Sequence, residues 1–204
     1  MARYGPEHKQ ATRRRMIETA GRRLKSDGID GSGIATLVAD AGLTNGAFYG
    51  HFSSKDDLVA AVVTDQLDAQ VTRLDALPDR PGVEAFIRDY LSAAHRDDPA
   101  GGCPSAALLD EIGRCDRATR QAYTAGIRSV IAAIARHLDD GDDHTLAAEE
   151  RATALVGLLV GSLQLARALE DREISDRVLA AAHTHALQLV APTGGRPTNR
   201  QESP

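Results

Sequence analysis

Thr44, Asn45, Tyr49, His51 and Lys55 lie close together in the run LTNGAFYGHFSSK, and their side chains suit recognition rather than bond breaking. Hydroxyl and amide groups exchange hydrogen bonds with base edges, whereas a phenol, an imidazole and an ammonium group can meet phosphate oxygens. Two other sets carry reactive chemistry. Cys103 stands before Pro104 at the expected start of a helix, where backbone N–H groups stabilise a thiolate. A redox pairing with Cys115 is one reading, and a free, inert thiol is the commoner one. His183 and His185, in AHTHA, offer metal or acid–base chemistry, but residues two apart on a helix point away from each other, which leaves one exposed and one partly buried. No Gly-rich phosphate loop, nucleophile elbow or HExxH occurs, and the two cysteines form neither a disulfide framework nor a metal motif. The expectation is a non-enzyme without cofactor or metal, in a reducing cytoplasm.

The elements that must hold the first set are short. Ile34, Leu37, Val38 and Ala41 repeat at helical spacing, Gly42 breaks that helix, and Thr44 and Asn45 can cap a second one that displays Tyr49 and His51. Residues 33–52 thus read as a helix-turn-helix, with helices near 33–40 and 44–50 and a second helix suited to the major groove. Ahead of it, a helix from about Lys9 to Ser26 turns Met16, Ile17, Ala20 and Leu24 inward and ends at Asp27 and Gly28, the glycine supplying a left-handed cap. Lys55 opens a fourth helix to about residue 76, apolar at Leu58, Val59, Val62, Val63, Leu67, Val71 and Leu74, which Pro78 and Pro81 stop. One end of it touches the reading unit and the other enters the rest of the chain, so it is the natural mechanical link.

Five further helices are expected near 83–97, 104–113, 116–138, 146–169 and 175–190, separated by DDPAGGCP and DDGDDH. No strand alternation competes, so the chain reads as all-α with about nine helices, a disordered tip to about residue 8 and a disordered tail over 191–204. Leu155, Val156, Leu158, Leu159, Val160, Leu163 and Leu165 nearly encircle the 146–169 helix, with Gly157 and Gly161 four apart, which requires burial on more than one side. No apolar run reaches about 18 residues and MARYGPEHKQ lacks an apolar signal core, so no membrane association is expected.

The net charge of -5 over 204 residues conceals an asymmetry. Residues 1–55 hold nine Lys or Arg against five acids, a net +4, and the remainder sits at -9. Basic charge beside phosphates releases counterions and supplies sequence-independent affinity, while an acidic body avoids coating the duplex.

Ala41, Gly42, Leu43, Ala47, Phe48, Tyr49, His51, Phe52, Ser54, Lys55 and Leu58, preceded by the basic first helix, carry a further signal: over roughly residues 9 to 60 the chain resembles the TetR family of bacterial repressors. The resemblance implies a three-helix DNA-binding domain over 9–55 and a helical ligand-binding and dimerisation domain over 56–190. It places Tyr49, His51 and Lys55 at phosphate-contacting positions, Thr44, Asn45 and Ala47 where base or backbone contacts are usual, and Thr36 near the start of the supporting helix. Phe48 and Phe52 set the head against the first helix. Gly33 stands where the family often has Thr or Ser, Ala35 where a long polar residue is common, and Gly50 where an aromatic is frequent. The base-reading set is therefore sparse, and Asn45 with nonpolar contact from Ala47 is left to carry much of the direct readout.

The same resemblance implies a homodimer whose last two helices pair across a two-fold axis, helped by the small residues Gly157, Gly161, Ala181 and Ala182. Its partner is double-stranded DNA bearing a palindrome with half-sites about 34 Å apart. It also implies a pocket among the fifth to eighth helices, with Phe86, Tyr90, Leu108, Ile112, Tyr123 and Ile127 as lining candidates. Such residues favour a small, largely apolar or aromatic effector, oriented by Tyr hydroxyls or by His95, whose differential affinity for two states releases the operator through the fourth helix. Other readings are a redox-responsive regulator using Cys103 and Cys115, an adaptor whose body binds a protein, and an enzyme.

Overall fold

The computed structural model describes residues 6–138 and 145–192, and among these it shows ten α-helices and no strand. The N-terminal set is α1 (Pro6–Asp27), α2 (Ile34–Asp40), α3 (Asn45–Phe48) and α4 (Lys55–Asp75). The body adds α5 (Asp79–Tyr90), α6 (Ala93–Asp97), α7 (Pro104–Arg114), α8 (Arg117–Leu138), α9 (Thr145–Ala168) and α10 (Arg172–Val190). The expected DDGDDH connection at 139–144 falls outside the described residues, as does the tail from 193 on.

Local chemistry explains the ends nearest the reading unit. Gly28 takes φ 82 and returns its N–H to the Leu24 carbonyl, closing α1 as a left-handed cap does. Gly42, at φ 65, turns the chain between α2 and α3, and the next amide, Leu43, bonds back to Val38. Helix α3 is shorter than the expected 44–50. Thr44 is its N-cap residue but its side chain makes no capping bond, and Gly46 and Gly50 are poor helix formers. Helix α4 is capped reciprocally: Ser54 Oγ accepts from the Asp57 N–H at 3.1 Å, and Asp57 Oδ2 accepts from the Ser53 N–H at 2.9 Å.

Three further expectations are corrected. Helix α1 already begins at Pro6, so residues 6–8, expected in a disordered tip, belong to it. Pro81 does not terminate a helix; it lies in the first turn of α5, where a missing N–H leaves no intrahelical bond unmade. The single helix expected over 83–97 is two, because the chain breaks at Leu91 and Ser92 starts α6, its hydroxyl accepting from the His95 N–H at 3.1 Å.

One apolar core runs from α1 to α10. Helix α4 lies along α8 so closely that a Cβ added at Gly126 would fall 2.5 Å from Leu67 Cδ1. Helix α10 packs on α9 and α5. Helix α9 is buried on one side only within the chain: Leu155, Leu159 and Leu163 are enclosed, whereas Ala154, Gly157, Gly161 and Leu165 form an exposed stripe, with Leu165 52% accessible. Among the described residues no helix is long and apolar enough to cross a membrane.

Candidate nucleic-acid interface and body pocket

Phe48 and Phe52 are 1% and 2% exposed, with ring centroids 5.8 Å apart, and they form the floor on which the short α3 sits. Tyr49 stands edge-on to Phe48 at 5.2 Å with 66% of its surface exposed, so its hydroxyl projects while its ring is braced. Thr36, Thr44 and Asn45 are exposed; Ala47, His51 and Lys55 are half-buried. The basic first helix reaches this region directly, since the Arg13 guanidinium lies 4.8 Å from the Phe52 ring centroid, a cation–π contact that holds one of its cations beside the turn after α3. Burial, then Lys9 and Arg13, holds the His51 imidazole below its usual pKa, and its buried Nδ1 has no hydrogen-bond partner. Arg23 ties α1 to α2 through two bonds to Asp40, at 2.6 and 3.0 Å, and one to Asp27. The result is a rigid platform with cations and hydrogen-bonding groups at its surface.

In the body, a cavity of about 530 Å³ lies against α4, α5, α6 and the loop before α7. Gln70, Leu77, Phe86, Tyr90, His95 and Cys103 are among its walls. Past Gln70, Phe86, Tyr90 and Cys103 a narrow apolar crevice continues toward Ile127, Val130 and Leu159. Tyr90 is 5% exposed and its hydroxyl, beside the Cys103 thiol, has no well-formed hydrogen bond within the protein; burial, then Cys103, pushes its phenol well above the usual pKa. Cys103 Sγ approaches Gln70 Oε1 at 3.7 Å. Both His95 ring nitrogens are engaged: Nδ1–H donates to the Tyr90 carbonyl at 2.8 Å, and Nε2 accepts from the Cys103 N–H at 3.1 Å. Burial lowers the His95 pKa, which keeps that neutral arrangement. A Cβ at Gly102 would lie 2.5 Å from His95 Nε2, so only glycine fits this wall.

Of the expected lining, Phe86 and Tyr90 border the cavity and Ile127 the crevice. Leu108 and Ile112 are packed in the core, 1% and 2% exposed, and border neither space. Tyr123 is half-buried and donates its hydroxyl to Ser105 Oγ at 3.0 Å. Gln70 and Cys103 were not read as lining residues from the sequence; a buried polar residue in the otherwise apolar face of α4 is the one local signal for the former. His95 braces the wall rather than presenting a free nitrogen.

Cys103 and Cys115 flank opposite ends of α7, about 18 Å apart at the helical rise per residue. A disulfide needs Cα atoms within about 7 Å, so the alternative reading that pairs these two is not available within one chain in this conformation. His183 is half-buried and His185 exposed, and no cluster of three potential metal ligands occurs among the described residues.

Comparison with known proteins agrees with this architecture. Residues 17–62 match the model described as bacterial regulatory proteins, tetR family, and residues 80–182 match the tetracyclin repressor-like C-terminal domain. The HTH-type transcriptional repressor NemR of Escherichia coli K12 is 25% identical over 191 residues, covering 88% of this chain and 94% of that protein. The HTH-type transcriptional repressor Rv1474c of Mycobacterium tuberculosis is 29% identical over 98 residues, 48% of this chain and 50% of that one. The structure of reduced E. coli NemR superposes with a TM-score of 0.76 at 23% identity, covering 90% of this chain and all, 100%, of the other. SCO4454, a TetR-family regulator from Streptomyces coelicolor, gives 0.63 at 26% identity over 89% and 96% of the two chains. A helix-turn-helix platform with exposed hydrogen-bonding groups, a helical body behind it and both family models matched in order lead to one conclusion: the chain belongs to the tetR family of bacterial regulatory proteins and is a DNA-binding transcriptional regulator.

Proposed function

We propose that the chain is a homodimeric repressor that grips a palindromic operator with two copies of its head and releases it when a small, largely apolar molecule fills the body cavity. The head spans 9–55 and the regulatory body 56–190. Tyr49, His51 and Lys55 hold phosphates, Thr44, Asn45 and Ala47 face the bases or nearby backbone, and Thr36 supports them. The observation that carries the ligand half is the buried Tyr90 hydroxyl without a protein partner at the throat of the cavity, on a wall shared with α4. Beside it the Gln70 oxygen takes the Cys103 thiol, which leaves the Gln70 NH₂ as a donor. Two donors in an apolar throat select a molecule that presents a hydrogen-bond acceptor, such as a carbonyl oxygen, to them. Support for the dimer comes from the exposed stripe Ala154, Gly157, Gly161 and Leu165 on α9, together with exposed Ile174 and Ala181 on α10, small or apolar residues suited to close helix packing.

Selection of bound fragments from randomised DNA by the purified protein tests the reading. Enrichment of one palindrome with half-sites a helical turn apart is the expected result, and no enrichment by folded, dimeric protein would refute it. A redox-responsive version is favoured by one observation, the placement of the Cys103 thiol in the cavity wall, and the similar NemR has been solved in a reduced form. It predicts that peroxide releases DNA from the native protein but not from a Cys103→Ser variant.

A further inference from the structure

Three hydrogen bonds join the head to the body without passing along α4. Glu111, on α7, accepts from the backbone N–H groups of Ile29 and Asp30 through one carboxylate oxygen, at 2.7 and 3.0 Å. These amides belong to the turn that follows α1, and no other acceptor serves them among the described residues. At the other end of α7, Lys25 in the last turn of α1 donates from Nζ to the Gly102 carbonyl at 2.7 Å. The fit is close: a Cβ on Gly28 would approach Glu111 Oε1 to 2.7 Å, and Ile29 is 5% exposed.

Helix α7 is itself fixed to the body. Leu108 and Ile112 are buried in its core, and Arg167, on α9, donates to the carbonyls of His95, Arg96 and Ala106. Gly102 and Cys103, immediately ahead of α7, form part of the cavity wall. Because α1 packs on α4, the head and the start of α4 form one unit; left to α4 alone, that unit would swing about a single helix. Attachments at Lys25 and at the 29–30 turn remove that freedom.

We infer that Glu111 and Lys25 are positioning residues that set the attitude of the DNA-reading head, with α7 acting as a second strut between cavity wall and head. The strut has a defined function only if two heads engage one operator, so the inference rests on the dimeric reading above. It gives the cavity a path to the head through Gly102 that is separate from the displacement of α4.

The experiment measures binding of the full chain, and of its Glu111→Ala and Lys25→Met variants, to operators whose half-sites are moved apart or together one base pair at a time, and to a single half-site. Hydrogen bonds to charged groups shift an equilibrium roughly ten- to a hundredfold, so the unaltered protein should favour one spacing by about tenfold or more and each variant by about threefold or less. Half-site affinity should not change. Retention of the spacing preference in both variants would overturn the strut, and so would an equal loss of affinity for every spacing and for the half-site, which marks a general loss of folding. If the unaltered protein shows no preferred spacing, the two-headed reading fails and takes the strut with it.

Discussion

Removing the Lys55 ammonium should flatten the salt dependence of operator binding, whereas removing the Tyr49 hydroxyl should weaken binding without flattening it. Lys55 is the first residue of α4, and the bonds that cap this helix run between Ser53, Ser54 and Asp57, so Lys55→Ala leaves the cap intact. Each phosphate neutralised on B-DNA contributes about 0.9 to the slope of log affinity against log salt. A dimer that loses one such contact per head should lose about 1.8 from that slope, so its deficit against the native protein changes roughly tenfold between about 50 and 200 mM salt. Tyr49→Phe keeps the ring that stands against Phe48 and deletes only an exposed hydroxyl. A hydrogen bond to a charged group is worth about 1.5–3 kcal/mol, and the exposure of Tyr49 puts it at the low end, near tenfold per head at every salt concentration. Fluorescence anisotropy of a labelled operator, titrated across that salt range, reads both quantities. An unchanged slope in Lys55→Ala, or equal flattening in both variants, would refute this division of roles.

Other outcomes test the body. Gly126→Leu should destabilise the fold by about 1–3 kcal/mol in chemical denaturation, since Leu67 already fills the space a side chain would need. Tyr90→Phe should leave the free protein as stable or raise its stability by on the order of 1 kcal/mol, because a buried hydroxyl without a protein partner is removed, while lowering affinity for any ligand that uses that donor; a clear loss of Tm would contradict this. Burial lowers the Lys25 pKa to about 8 from 10.5, against the raising effects of Cys103 and Asp98 and with help from Arg22 and Arg73. The unfolded chain then binds more protons between those values, so the cost of burying the ammonium is full below about pH 8 and fades by pH 10.5. Across that window the Tm of the native protein should rise relative to Lys25→Met, and a parallel pH course for the two would argue against it.

The reading unit was legible in the sequence because its determinants are local. Apolar spacing at Leu37 and Val38 and a glycine that must adopt φ 65 at position 42 specify the turn within a few residues. The break between α5 and α6 was not legible, since Ser92 looks like any exposed polar residue of a helix until its hydroxyl is seen to cap His95. Pro81 has the same effect on sequence patterns whether it starts a helix or ends one. Helical spacing identified Leu108 and Ile112 as inward-facing, but it does not tell a residue that fills the core from one that borders a cavity. The link from Glu111 to Ile29 joins residues 82 apart in sequence, and no local pattern announces it.

The exposed stripe on α9 has a bearing on how the protein would respond to ionic strength. It contains no charge, while the body that carries it is acidic, so bringing two such bodies together sets a salt-tolerant apolar contact against a mutual repulsion that salt screens. The basic heads behave in the opposite sense, because added salt competes with them for phosphate. In a dimer joined through this stripe, pairing of the chains strengthens as ionic strength rises while the grip on DNA weakens. At protein concentrations low enough for pairing to be incomplete, operator occupancy should therefore pass through a maximum as salt is raised rather than fall steadily.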